Sequence, residues 1–354
     1  MKWNWGSVVQ RVTIKDIASA AGVSVGTVSK VLNGDQTVKE KNLRAVENAI
    51  SALDYNVNNV ARSLARKPIK LGIILPYPFE EYFGPMVAGI QKGIESLSDY
   101  KVNAEFCNCP LYSDETQILE CLHKLVEKDV NGILFGPFHH FTRVDELAKL
   151  ESKGIPVVLL LSDIFGSKRL AYVGVDAVLS GKTAADLAVM TLKPGEQCAV
   201  FVGNKDFEEH RAKAESFANQ IWERCGSKAT IYETQDDSEL AYHLTVTRLT
   251  LNPHLRLIYV ATANSVPVCK AICDCGKADE VKVIATDVWT ELKEYVEQGI
   301  VIGALDQHMA EQGDIAVKTL HQYLAENIIK NRETKIAPSM LLYSGMIDKI
   351  CRLG

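Results

Sequence analysis

From Thr13 to about Tyr55 the apolar positions recur at helical spacing. Ile14, Ile17, Ala18 and Ala21 share one face, as the i, i+3, i+4, i+7 spacing of an amphipathic helix requires. Thr13 followed by Asp16 reads as a helix cap with an acid in the first turn. Gly22 ends that helix, and Ser24 reads as the cap of a second over 25–32, whose inward face is Val28, Val31 and Leu32. Asn33-Gly34 closes it with residues that tolerate positive φ. A third helix is expected from about Lys39 to Leu53, with Leu43, Val46, Ile50 and Leu53 on one side. The polar stretch 56–67 ends at Pro68 and reads as a linker. Within it, 60–65 suits a helix of under two turns, too short to hold in water without a partner.

After Pro68 short apolar runs alternate with amphipathic stretches. The runs fall at 71–75, 102–106, 132–135, 157–161, 172–175, 199–202, 229–232, 257–260, 281–285, 300–305 and 340–343. Helical patterns lie between most of them, for example at 86–97, 115–127, 179–190, 212–225 and 309–329. Near-continuous apolar strands alternating with helices imply parallel sheets covered on both faces. About eleven strands exceed what one compact sheet normally holds. The fold class expected is therefore an all-α helix-turn-helix headpiece followed by an α/β core of two doubly wound parallel-sheet subdomains.

Charge sharpens this division. The chain carries −5 overall, yet up to Pro68 it has ten Lys/Arg against five Asp/Glu, so the remainder carries −10. A basic module joined to an acidic body suggests that only the first part meets a polyanion. The apolar runs are too short to span a bilayer. Met1 to Arg11 holds Trp3 and Trp5 but no signal-like apolar core, and a cytoplasmic location is expected. The nine cysteines give no clear disulfide framework. Cys107-Asn-Cys109 and Cys269, Cys273 and Cys275 lack paired zinc spacing. No metal, cofactor or catalytic constellation is read, so an enzyme is not expected.

The helix, Gly turn and helix over 14–32 carry the strongest signal. In such a unit the second helix lies in the major groove and presents its first turns to base edges. Val25, Gly26, Thr27, Ser29 and Lys30 are the exposed candidates; an ordinary helical hairpin is the alternative. The run Val12-Thr-Ile-Lys-Asp-Ile-Ala-Ser-Ala-Ala-Gly-Val-Ser-Val-Gly-Thr-Val-Ser-Lys-Val-Leu-Asn-Gly34 resembles the headpiece signature of the lactose-repressor (LacI-type) family. Tyr55-Asn-Val-Asn-Asn-Val-Ala-Arg-Ser-Leu64 resembles that family's hinge helix. The resemblance implies a DNA-contact set of Thr13, Ser24, Val25, Gly26, Thr27, Ser29, Lys30, Asn33, Asn58, Val60, Ala61 and Leu64. Val25 and Gly26 take the family's base-reading positions, but Gly26 has no side chain to read with. Lys30 stands where an Arg is usual, Lys39 where a Ser cap is usual and Val57 where Pro is usual. Leu64 matches the hinge leucine that wedges into the minor groove and kinks the duplex.

The family's core resembles periplasmic binding proteins, and its ligand cleft points to Glu80, Tyr82, Phe83, His139, Lys213, Asn264, Asp287 and Gln307, at or after strand ends. Stacking aromatics with carboxylates and amides suit a sugar; a purine is the rival. The division expected is an N-terminal extension over 1–11, read as flexible, a headpiece over 12–56 and a hinge helix and linker over 57–69. A ligand-binding core follows over 70–354. Its first subdomain would take about 70–165 and 300–330, the second about 166–299 and 331–354. The whole implies a repressor that binds a pseudo-palindromic operator as a homodimer and senses a small polar effector, with no membrane partner. A solute-binding transport protein and an α/β enzyme are the alternatives; the basic headpiece opposes the first and the missing catalytic set the second.

Overall fold

The computed structural model describes residues 14–32, 35, 37–53, 68–77, 80–110, 115–137 and 141–353, with backbone only at 77, 80–82, 99, 108 and 110. The chain divides into two compact units, Met1–Arg66 and Lys67–Gly354.

The first unit holds three helices, α1 (Ile14–Ala21), α2 (Val25–Leu32) and α3 (Glu40–Ala52). Ile17, Ala18, Val28, Val46 and Ala49 form its core. The turn between α1 and α2 has a definite chemistry. Gly22 adopts φ +64°; its N–H bonds to the Ser19 carbonyl, and the Val23 N–H to the Ala18 carbonyl. Those two bonds make a Schellman cap, and the left-handed residue it needs favours glycine. Ser24 then caps α2, its Oγ accepting from the Thr27 N–H at 3.1 Å. No side-chain bond caps α3 at Lys39. Thr13, Asn33-Gly34 and the 60–65 segment lie outside the described residues.

The second unit contains two six-stranded sheets. In the first lobe the chain runs β1 (Ile69–Tyr77), α4 (Glu80–Ser96), β2 (Val102–Pro110), α5 (Glu115–Glu127), β3 (Gly132–Phe135), α6 (Val144–Ser152), β4 (Val157–Leu160) and β5 (Ala171–Val175). It crosses to the second lobe for α7 (Ala177–Thr191), β6 (Gln197–Val202), α8 (Glu208–Cys225), β7 (Ala229–Glu233), α9 (Ser238–Leu251), β8 (Leu255–Val260), α10 (Ser265–Asp274), β9 (Lys282–Thr286), α11 (Lys293–Glu297) and β10 (Val301–Asp306). It returns for α12 (Met309–Glu326) and β11 (Glu333–Ile336), then ends in the second lobe with β12 (Ser339–Leu341) and α13 (Tyr343–Leu353).

The strand orders are β11-β5-β4-β3-β1-β2 and β12-β10-β9-β8-β6-β7, so each lobe repeats one doubly wound pattern. Ile74, Phe135 and Leu159 face one apolar layer of the first sheet, while Ile73, Leu134 and Leu160 face the other. Burial on both faces is why these strands read as unbroken apolar runs. On one flank α4 and α12 approach closely at Gly89, where a Cβ would stand 1.9 Å from the Ala310 carbonyl oxygen.

The subdomain boundaries read from the sequence need correction. Residues 171–175 pair with β4 and 333–336 with β5, so both belong to the first lobe. Residues 301–306 pair with β9 and belong to the second. Apolar runs locate strands but carry no record of which distant strand each will pair with. No apolar run marks the strand Glu333–Ile336, because a half-exposed edge strand needs none.

Candidate functional site

Two sets of residues stand out, one in each unit. On α2, Val25, Gly26 and Lys30 are exposed, whereas Thr27 and Ser29 are half-buried. Ser24 and Thr27 are engaged with each other, Oγ to Oγ1 at 2.9 Å, besides the capping bond. Both therefore hold the helix start whatever else they touch. A Cβ on Gly26 would meet only Ser24 Oγ, at 3.7 Å, an ordinary contact. The helix thus has room for a side chain there and simply lacks one. Asn58, Val60, Ala61 and Leu64 lie outside the described residues, as do Thr13 and Asn33.

In the core, polar side chains gather at the carboxyl ends of the strands, where doubly wound sheets bind ligands. Ser162 follows β4 of the first lobe, and its Oγ donates to Glu209 Oε2 of the second lobe at 3.3 Å. Glu209 forms a close ion pair with Lys213, one turn further along α8. Lys213 is 1% exposed, and its Nζ also donates to Gln307 Oε1 at 2.6 Å. Gln307 Nε2 donates to Asp287 Oδ2 at 2.7 Å, and its backbone N–H to Asp287 Oδ1 at 3.1 Å. Gln312 Nε2 donates to the Gln307 carbonyl at 2.8 Å. A continuous buried relay, Ser162, Glu209, Lys213, Gln307 and Asp287, therefore links the two lobes.

The backbone fixes this relay in place. Gln307 lies on the second crossing between lobes, between β10 and α12. The next residue, His308, has φ 55°, and its Nε2 meets Ser339 Oγ of the third crossing at 2.8 Å. Asp287 itself has φ 58°, a conformation that Asp tolerates better than most residues. Asp306 beside them accepts from Lys349 Nζ at 2.7 Å and from the His308 N–H at 3.0 Å.

Electrostatics set the two carboxylates apart. Burial pushes the Glu209 carboxyl up, but Lys213, His210 and the hydrogen bonds outweigh it, so it lies below the ordinary carboxylate value. For Asp287 burial prevails over the Gln307 bonds and the Lys349 charge, and its carboxyl is raised. The difference is one of partners: Glu209 faces an ammonium directly, Asp287 only an amide.

Asn264, at the start of α10, is also buried; its Nδ2 donates to Thr234 Oγ1 at 3.4 Å, and its Oδ1 accepts from Ser238 Oγ at 3.4 Å. Phe83 is buried on α4. The structure thus brings Lys213, Gln307 and Asp287 together, with Asn264 at the end of a neighbouring strand. His139 and the side chains of Glu80 and Tyr82 lie outside the described residues. Arg211, a second cation on the same helix as Lys213, pairs with Glu208 on the surface. Sequence reasoning missed Glu209 and Ser162. A trace of Glu209 was present, since Glu and Lys four apart share a helix face. Among the described residues no group of three or more His, Cys, Asp or Glu is arranged to hold a metal. No helix among them is long and apolar enough to cross a membrane.

Comparison with known proteins accounts for both units. Residues 13–58 match the family of bacterial regulatory proteins, lacI family, and residues 71–328 match a periplasmic binding protein domain. Catabolite control protein A of Streptococcus mutans is 31% identical over 194 residues, 54% of this chain and 55% of that protein. The chain thus spans little more than half the length of that relative. Catabolite control protein A of Staphylococcus epidermidis is 26% identical over 340 residues, covering 94% of this chain and 98% of that one. Among solved structures, GanP, a glucose-galactose binding protein from Geobacillus stearothermophilus, superposes with a TM-score of 0.72 at 20% identity, over 79% of this chain and 99% of that one. A headpiece with a Schellman-capped turn, a two-lobed core and these matches agree: the chain belongs to the lacI family of bacterial regulatory proteins, with a periplasmic-binding-protein domain after its helix-turn-helix headpiece.

Proposed function

We propose that the protein is a transcriptional repressor that binds a pseudo-palindromic operator as a homodimer and releases or holds it in response to a neutral polar effector, a sugar. Val25, Gly26, Ser29 and Lys30 are the base-facing positions of α2 in this reading, with Thr13, Ser24, Thr27 and Asn33 around them on the DNA. Asn58, Val60, Ala61 and Leu64 act from the minor groove. Lys30 contributes a point charge where an Arg would supply a fork. Such a protein works in the cytoplasm and needs no catalytic group.

The observation that carries the effector class is the pairing of Lys213. Its ammonium is consumed by Glu209 and Gln307, and Arg211 is paired on the surface. An anionic ligand needs converging cations or a helix N-terminus. A polyhydroxyl ligand needs acceptors and donors such as Asp287, Gln307 and Asn264, with Glu80, Tyr82, Phe83 and His139 completing the set. The glucose-galactose binding of GanP supports the same class.

A calorimetric screen of the full chain against free sugars, purines and phosphate esters tests it. Binding of a sugar, with none of the others, is expected. Tight binding of a purine or a phosphate ester without response to sugars would overturn the assignment. DNA binding is tested by titration against salt. The affinity should fall steeply through counterion release, and a fragment starting at Lys70 should not bind.

A further inference from the structure

Outside the cleft, three thiols converge in the first lobe. Cys107 and Cys109 stand two apart on β2, so the strand period puts both on one face. Against that face packs α5, which carries Cys121. The Sγ atoms of Cys107 and Cys121 are 2.6 Å apart, well inside ordinary contact, and both are free thiols. Cys107 is half-buried, whereas Cys121 and Cys109 are buried in the apolar layer of that face. Among the described residues this cluster is not arranged to hold a metal.

We propose that Cys107 and Cys121 form a peroxide-sensitive redox site that closes to a disulfide. Cys107 is the sulfur that an oxidant can reach, and Cys121 is the resolving thiol already in place behind it. Burial and the neighbouring sulfurs push the Cys121 thiol up, which suits a group that reacts second. The Cys107 thiolate attacks hydrogen peroxide: an S–O bond forms, the O–O bond breaks, and hydroxide leaves to become water on protonation. Cys121 then loses its proton as its sulfur attacks Cys107. The S–S bond forms, the S–O bond breaks, and a second water departs. Two thiols are oxidised and one peroxide is reduced. Closing the bond staples the edge strand β2 to α5 and constrains the unfolded chain.

The test treats the full chain with graded hydrogen peroxide, blocks free thiols, and maps linked peptides by non-reducing mass spectrometry. A 107–121 crosslink is expected, lighter by about 2 Da than the reduced pair, reversed by dithiothreitol, together with an upward shift in thermal midpoint. In Cys121→Ser the Cys107 sulfenic acid should persist and be trapped by dimedone. In Cys107→Ser, a change at a half-buried position, the crosslink and the thermal shift should both vanish. If peroxide instead modifies the exposed Cys225 and Cys351 while Cys107 and Cys121 stay alkylatable, the proposal fails. A crosslink joining Cys109 to Cys121 in the unaltered chain would also overturn the assignment of Cys107.

Discussion

Lys213 and Gln307 stand 94 residues apart and are joined by a 2.6 Å hydrogen bond. Lys213 comes from a helix of the second lobe, Gln307 from a crossing between lobes, and Glu209 holds the same ammonium from the other side. A buried ion pair gives little net stability, but removing one partner leaves an uncompensated charge and costs about 3–5 kcal/mol. Lys213→Met should therefore lower unfolding free energy by about that amount, less whatever Glu209 recovers by taking up a proton. The double change Lys213→Met with Glu209→Gln should recover part of the loss. Urea unfolding of both variants checks this; equal losses would show that Glu209 is not held by Lys213.

The two buried carboxylates should give opposite pH signatures. Glu209 is held below its ordinary 4.5 in the folded chain. Its stabilisation is then complete above pH 4.5 and lost as pH falls through the lower folded value. Asp287 is raised above its ordinary 3.8. Its contribution is complete below pH 3.8 and lost as pH rises through the higher folded value. Thermal midpoints across the acid range should show Glu209→Gln flattening the acid-side loss and Asp287→Asn flattening the decline on the rising side. Changes of the same sign in both variants would contradict the assignment.

Local chemistry explains what the sequence made legible. Gly22 and Ser24 announced the turn and the cap because each acts on its own neighbourhood. The apolar runs located the strands because burial on both sheet faces leaves no polar alternation. What escaped depends on distant pairing. Residues 171–175 join β4 and 301–306 join β9, and no local pattern encodes either choice. Glu209 escaped for a related reason: a Glu and a Lys four apart usually lie on a solvated helix face. Only the packing of α8 against strand ends turns that pair into a buried relay. Asp287 and Gln307 were legible as candidates because strand ends are where such sheets bind, though their bond to each other was not.

The headpiece carries two positions that can be strengthened without touching its core. Gly26 lies inside α2 with space for a Cβ, and glycine costs a helix about 0.5–1 kcal/mol relative to alanine. Lys39 begins α3 with no side-chain cap; a Ser there would supply a bond worth about 1 kcal/mol. It would also remove a cation from the positive end of the helix dipole. Gly26→Ala and Lys39→Ser should each raise the unfolding midpoint of the headpiece, and together they should add, since the sites share no partner. Hydrogen exchange of the α1–α3 amides reads this directly; faster exchange in either variant would show that the native residue is preferred there.

The helix pair α7 and α8 tolerates no such addition. A Cβ on Gly181 would stand 2.2 Å from the Lys213 carbonyl oxygen, and backbone cannot move aside as a side chain can. Gly181→Ala should force the helices apart, cost at least the 1–3 kcal/mol typical of overpacking and shift Lys213 within its relay. Gly154, whose added Cβ would meet nothing within 4 Å but whose φ is +74°, is a useful contrast. Gly154→Ala should lose only the strain of its left-handed backbone, about 1 kcal/mol. Chemical denaturation of the two variants should rank Gly181→Ala well below Gly154→Ala.

Asp287 is the residue on which effector sensing should turn. Its two oxygens accept the Nε2–H and the backbone N–H of Gln307, so it fixes a crossing between the lobes. Asn keeps the shape and one acceptor, but its amide would face the Gln307 amide donor to donor. Gln307 must then flip, which withdraws Oε1 from Lys213. Asp287→Asn should therefore abolish the thermal shift produced by the sugar found in the calorimetric screen. Operator affinity, measured by fluorescence anisotropy, should stay unchanged, because the headpiece is a separate unit. A variant that still responds to ligand would remove Asp287 from the binding set. One that folds, by its melting profile, yet loses operator affinity would show instead that the Asp287–Gln307 bond supports the DNA-bound conformation.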